Sequence, residues 1–247
     1  MKVKVNVKKF FFVFLFLVPV SLCAQNEENS MINVRKVRFP VAKPPIALVE
    51  KMLDSMNVSF HSIAIANWAA YPYIPEVKFR IAYSKDEIYL QFVVNENAVR
   101  AIYSDDETSK PYEDSCVEFF WTPGSDNIYY NLEFNAVGTL LYQGGAQRGN
   151  RHRFSNEVTE QIRRSTNLPK QAFDTREDIN TWQLTAAIPL SIFSLGTVEP
   201  LEGRTVKANF YKCGDKLPVP HYLSWSPIGT ERPNFHTPQY FGNLCFE

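Results

Sequence analysis

The sequence predicts an all-β protein, a two-sheet antiparallel β-sandwich with long loops. Three observations carry this: many short segments alternate apolar and polar residues, few hold a helical period, and no internal repeat is present. The clearest alternation is Asp114-Ser-Cys-Val-Glu-Phe-Phe-Trp121, followed by the turn-rich Thr122-Pro-Gly-Ser-Asp-Asn127 and then Tyr129-Tyr-Asn-Leu-Glu-Phe-Asn135. Read as a hairpin, it sets Val117, Phe119 and Trp121 against Phe134, Leu132 and Tyr130 on the face that needs a core. The other face then carries Glu118 opposite Glu133, flanked by Phe120, Asn131 and Asn135.

From the start of the chain, residues 1–9 hold four lysines and no acid, and residues 10–20 form an apolar run broken only at Pro19. That order is expected of a secretory signal over residues 1–24, cut after Ala24, and the run is too short to span a bilayer. The protein is therefore expected to be exported, to the periplasm or beyond. The alternative makes Cys23 the lipidated first residue of an outer-membrane lipoprotein, against which the bulk of Leu22 argues. Without the leader the chain keeps 22 basic against 26 acidic residues, a net charge of −4 that offers nothing to a nucleic acid backbone.

Residues 25–45 are expected to be an N-terminal extension, polar at first and then mixing short extended stretches with prolines, and 46–247 the folded domain. Residues 47–56 suit a helical turn or two, and 68–75 a loop or edge, because prolines cannot continue a central ladder. Residues 77–83 and 88–94 form a hairpin around Ser84-Lys-Asp-Glu87. Its core face is Phe79, Ile81, Tyr83, Ile88, Leu90 and Phe92; its other face carries Arg80 and Gln91, which answer the two glutamates if this hairpin neighbours theirs.

Residues 95–113 form a long acidic loop, either plain surface or a rim for an oxygen-liking cation with Asp105, Asp106 and Asp114 as candidate ligands, although it lacks the order of an EF-hand. A strand follows at 137–142. Residues 143–175 are polar and carry Arg148, Arg151, Arg153, Arg163 and Arg164, with an edge strand over 155–164. Trp182, Leu184, Ala186 and Ile188 share a core face, and 206–212 is a strand with Val206, Ala208 and Phe210 inward and Lys207, Asn209 and Tyr211 opposite. An aromatic, proline-rich tail ends in a strand at 242–246. Cys116, Cys213 and Cys245 lack the spacing of a metal knuckle or redox pair, while one bridge among them is compatible with export. His221 and His236 likewise lack zinc-like spacing.

Opposed carboxylates destabilise a sheet unless a cation, a donor-rich side chain or a hydroxylated ligand bridges them. Glu118 and Glu133 are thus either a salt-bridge node with Arg80 or Arg148, or the floor of a binding site. Arg80, Gln91, Glu118, Glu133, Asn135, Lys207 and Asn209 together supply the donors and acceptors that sugar hydroxyls require. Trp121 and Trp182 fall on core faces, whereas Trp68 and Trp225 lie in proline-rich loops free to stack on a pyranose. A glycosidase using the same glutamates is an alternative, but both project in one direction from one sheet and do not flank a bond. An assembly module using the aromatic tail is another; no hydrolase elbow, zinc-protease helix or dinucleotide fingerprint is present.

The stretches Asp114-Ser-Cys-Val-Glu-Phe-Phe120, Tyr130-Asn-Leu-Glu-Phe-Asn-Ala-Val-Gly-Thr139, Trp182 to Leu190, Leu223-Ser-Trp-Ser-Pro227, Pro233-Asn-Phe-His236 and Tyr240-Phe-Gly242 resemble the family 9 carbohydrate-binding modules. The resemblance implies a DOMON-related sandwich, non-catalytic binding of mono- or oligosaccharides, and often a structural calcium. It places Glu118, Glu133, Asn135 and Trp225 in family-like motifs, and it implies work beside a glycoside hydrolase or surface glycan-utilisation proteins.

Overall fold

The computed structural model describes Met1, residues 30–178 and residues 180–247; the leader expected over 1–24 beyond Met1, its Cys23 alternative and residues 25–29 lie outside the described residues. The first half of the chain forms β1 (Met31–Lys36), α1 (Ile46–Ser55), β2 (His61–Ser62), β3 (Ile65–Ala66), β4 (Glu76–Tyr83), β5 (Glu87–Asn95), β6 (Val99–Ala101), β7 (Cys116–Thr122) and β8 (Tyr129–Asn135). The second half forms β9 (Leu140–Gln147), β10 (Asn150–Arg153), α2 (Asn156–Thr159), β11 (Arg163–Thr166), β12 (Phe173–Arg176), β13 (Thr181–Pro189), β14 (Thr205–Cys213), β15 (Tyr222–Ser224) and β16 (Gly242–Phe246).

One layer runs β10-β9-β8-β7-β14-β16, with β15 also on β14, and the other runs β4-β5-β13-β11. They are stitched together by β1, whose residues Met31 to Val34 pair with β16 while Arg35 and Lys36 pair with β4. Both of those pairings are parallel, which corrects the purely antiparallel expectation: the fold is predominantly β with mixed strand order. The cause is topological, since a strand that passes from one layer to the other must follow the direction of each neighbour it meets. It also makes part of the supposed extension, 31–36, a structural strand. The edge strand expected over 155–164 divides into the single turn α2 and the strand β11, which lies on β13.

The core forms where alternation from both layers meets. Phe79 of β4 stacks on Phe210 of β14 with ring centroids 3.8 Å apart, and Phe119 of β7 lies 5.0 Å from Phe210. Trp225 joins this cluster edge-on, 5.7 Å from Phe210 and 6.2 Å from Phe79. It is a core residue, so the expectation that it stacks on a ligand is corrected; its proline-rich context hid a backbone bond from its own N–H to the Phe210 carbonyl. Lys212 has the inward parity of Phe210 and is fully buried, its ammonium 2.9 Å from the equally buried Glu96, whose other oxygen accepts the Trp182 indole N–H at 2.7 Å.

The outer face of the second layer is closed by α1, where Val49 and Leu53 pack against Val37, Ala82, Tyr89 and Ala187. Arg80 and Gln91 lie on this face: the Arg80 guanidinium donates to Gln91 at 2.8 Å and to Asp54 of α1 at 2.6 Å, and the Gln91 amide donates to Thr185 at 3.3 Å. They are therefore in a different layer from Glu118 and Glu133 and do not answer them. Neither residue's alternation was misread; the hairpin simply does not neighbour the β7–β8 pair.

Because Phe210 contacts both layers, Phe210→Ala is expected to cost about 3–5 kcal/mol through the cavity it leaves. A urea titration should show the midpoint fall at unchanged slope; an unmoved midpoint would mean the interlayer stack is dispensable.

Candidate functional site

Opposite the core, β7, β8 and β14 present the alternate set of side chains. The register is Glu118 against Glu133 on one side and against Tyr211 on the other. The segment Thr108 to Tyr112, the arginines of the β9–β10 hairpin and the tail around Tyr222 and Phe235 rise around this face, enclosing a cavity of about 480 Å³ with both glutamates in its floor. Glu118 is 2% exposed and Glu133 4%, so these are carboxylates removed from bulk water.

Their partners are few. One Glu118 oxygen accepts the Cys213 thiol at 3.0 Å and lies 3.9 Å from the Cys116 sulfur. One Glu133 oxygen accepts the Asn131 amide at 2.8 Å, while its second oxygen is buried without a hydrogen bond. Arg151 reaches Glu133 only by relay. Its Nε donates to the Asn131 carbonyl oxygen at 2.8 Å, another of its nitrogens donates to the Tyr129 backbone at 2.9 Å, and its guanidinium lies 3.9 Å over the Tyr129 ring. Burial, reinforced by the Glu133 charge, pushes the Glu118 carboxyl well above the usual range; burial also raises Glu133, with Asn131 and Arg151 opposing.

The remaining sequence-predicted residues divide by what holds them. Asn135 shares the polar face but is committed to the β8–β9 turn, donating to Asp114 at 2.9 Å and the Tyr103 carbonyl at 2.8 Å and accepting from the N–H groups of Val137 and Thr139. Asn209 clamps Ser226 in the same way, donating to its carbonyl at 3.0 Å and accepting from its N–H at 2.9 Å. Lys207 has the right parity but is exposed at the far end of β14, opposite Thr122. Trp68 is buried behind the wall, its indole donating to the Thr230 carbonyl at 2.8 Å and its ring packed against Tyr222 and Phe235. It supports those two rings and presents no face to the cavity.

Asp105, Asp106 and Asp114 do not fit a calcium site. Asp114 accepts from Arg100 at 2.8 Å, from the N–H groups of Ile102 and Tyr103 and from Asn135; Asp106 pairs with Arg164 and the Leu140 N–H; Asp105 caps its own turn at Glu107 and Thr108. A cation would have to displace an arginine and backbone donors from Asp106 and from Asp114, and the turn donors from Asp105. The site residues that sequence reasoning did not select are Asn131, Gln143, Arg151, Tyr112, Tyr222 and Phe235. The alternation Arg151, Arg153 was the available signal for a strand beside β9; nothing local brings residues 222 and 235 over β7.

A two-layer β fold with a carboxylate floor and aromatic walls defines a binding protein for a small hydroxylated ligand. The profile of carbohydrate-binding family 9 matches residues 47–246, and the chain belongs to that family of carbohydrate-binding modules. Among solved structures, a Bacteroides uniformis chain assigned to carbohydrate binding is 45% identical, with 89% of this chain and all of that chain covered at a TM-score of 0.85. Two structures of family 9 modules from Caldicellulosiruptor kristjanssonii share the fold at 14% identity. The glucose complex covers 88% of this chain and 96% of that one at a TM-score of 0.52, and the cellotriose complex covers 88% and 94% at 0.56. Among curated proteins no match is found.

His236 faces the cavity, with Nδ1 3.1 Å from the Tyr129 hydroxyl and its ring 5.1 Å from Phe120. Burial, with the Arg151 and Arg148 charges, depresses its pKa to about 3 from the ordinary 6.5; burial and Lys212 depress His221 to about 3 as well. Each folded imidazole refuses a proton that the unfolded chain accepts, so this contribution to stability is complete above about pH 6.5 and is lost progressively as the pH falls toward 3. Urea midpoints measured at pH 7.5 and pH 5 should therefore differ less in His236→Gln than in the parent protein. An equal difference in the two proteins would show that His236 takes up its proton without penalty.

Proposed function

We propose that the cavity over Glu118 and Glu133 takes one or a few gluco-configured sugar units. The carrying observation is the Glu133 oxygen, buried in the cavity floor and lacking a donor. A sugar hydroxyl supplies the missing donor, and a hydrogen bond to a charged group contributes about 1.5–3 kcal/mol. The apolar C–H face of a pyranose needs a ring to lie on, and Tyr112, Tyr222 and Phe235 line the same space. A volume of about 480 Å³ falls within the range of small-molecule sites, roughly 300–1,000 Å³. The glucose and cellotriose held by the two Caldicellulosiruptor modules support a glucose-type ligand.

Hydrolysis fits the geometry poorly. A glycosidase holds one carboxyl as acid and leaves its partner ionised, whereas burial raises both of these, and both rise from adjacent strands of one sheet. Export is proposed with the binding role, supported by the lysines of residues 1–9 and the apolar run after them. In that compartment the module would hold glycan for a glycoside hydrolase or for surface glycan-utilisation proteins.

Calorimetry with glucose, xylose, cellobiose, xylobiose and cellotriose, run beside reducing-sugar release from matching polymers, tests the reading. Binding without release is expected, with the gluco series tighter than the xylo series. Glu133→Gln and Tyr222→Leu should each weaken binding by roughly tenfold or more, the first by losing the charged acceptor and the second by losing the ring. Unchanged dissociation constants in both variants, or sugar release abolished by Glu118→Gln, would reject it.

A further inference from the structure

Cys116 and Cys213, far apart in sequence, are directly paired in register across β7 and β14. Glu118 is two residues along β7 from Cys116, so period two puts all three side chains on the cavity side of the sheet. Both thiols are free and buried, and the two sulfurs and a Glu118 oxygen lie within 4.8 Å of one another. Among the described residues this is the one cluster of three histidine, cysteine or acidic side chains whose ligand atoms converge.

We propose that Cys116, Cys213 and Glu118 form a binding site for a thiophilic divalent cation of the zinc class, set in the floor of the cavity. The spacing suits it. Zinc–sulfur bonds of about 2.3 Å and zinc–oxygen bonds of about 2.0 Å at tetrahedral angles separate the oxygen from each sulfur by about 3.5 Å. The observed separations are 3.0 Å and 3.9 Å, which bracket that value. Two sulfurs and one carboxylate select zinc-like ions over calcium or magnesium, which take oxygen ligands.

A second observation points to the same ligand. Glu133 sits opposite Glu118, and its second oxygen is buried with no donor, available as acceptor for a water bound as the ion's fourth ligand. Three basic residues nearby are otherwise engaged, Arg151 with Asn131 and Tyr129, Arg153 with the carbonyls of Asp106 and Ser109, and Lys212 with Glu96, while Arg148 lines the cavity without bonding to either glutamate. Glu118 and Cys213 line the cavity, which gives the ion an entry path. On binding, each thiol gives up its proton to solvent as its metal–sulfur bond forms, Glu118 gives up any proton it holds, and no redox change occurs. Metal occupancy is separable from sugar binding, because the site is read without any glycan present.

The test is a titration of the chain with Co²⁺ in a Cys23→Ser, Cys245→Ser background, followed by thiolate-to-cobalt charge-transfer absorption. One equivalent should produce the band, Zn²⁺ should bleach it, and Zn²⁺ should raise the melting temperature of the same protein. Cys116→Ser or Cys213→Ser should abolish the band, and Glu118→Gln should weaken affinity by more than the roughly 10–100-fold that a supporting residue costs. If either serine variant fails to fold, the background protein and Glu118→Gln still decide. Absence of the band with both thiols titratable after unfolding overturns the proposal. So does finding both thiols only after reduction, which would mean the pair is a cross-strand disulfide.

Discussion

The register of β7 between β8 and β14 is the constraint on which the rest depends. Phe119 and Phe210 are partners in that register, and Phe79 comes from the other layer to stack on Phe210. Once these rings are interior, period two sends Glu118, Glu133, Tyr211 and Cys213 to the far side without further choice. A slip of β7 by one residue would exchange its two sets, turning Glu118 in between the layers and Phe119 and Trp121 out of them. The hydrophobic stack and the polar floor are therefore one decision, made by the larger free energy of burying the rings.

On the other layer α1 covers much of the outer face. On β4, β5 and β13 the outward residues meet α1, and the polar ones among them, Arg80, Gln91 and Thr185, bond to each other or to Asp54. Between the layers, Lys212 and Glu96 show how an inward polar pair is accommodated: each is fully buried and the carboxylate takes a tryptophan N–H as well. The fold thus contains three polar settings, under a helix, between the sheets and on the open face. Among the described residues, the buried carboxylate oxygen left without a hydrogen bond beside a cavity is that of Glu133, on the open face.

The difference between what could and could not be read from the sequence follows from the range of the signal. Alternation is local, so it placed Glu118 opposite Glu133 and both away from Phe119, Leu132 and Phe134, as the register shows. It carries no information on which hairpin neighbours which, and Arg80 and Gln91 were drawn to the wrong layer for that reason. Trp225 shows a second limit. A proline-rich context suggests a loop, yet a backbone bond to Phe210 carries its indole into the core. Tyr222 and Phe235 show a third, because they reach the cavity through the path of the tail and not through any period. Cys116 and Cys213 look unrelated in sequence, and only the pairing of β7 with β14 joins them.

The arrangement of Arg151 explains why the floor stays receptive. An arginine bonded directly to Glu133 would satisfy both oxygens in a fork and convert the floor into a closed ion pair. Here the guanidinium is diverted to the Tyr129 ring and carbonyl, and it touches Glu133 only through the Asn131 amide. One carboxylate oxygen is oriented by the relay and the other remains without a donor. Across the sheet, Glu118 is held by thiols, which are weak donors and leave its charge poorly compensated. Burial, and for Glu118 the neighbouring Glu133, make ionising two carboxyls so placed costly in the free protein, and whatever brings donors or positive charge to them lowers that cost.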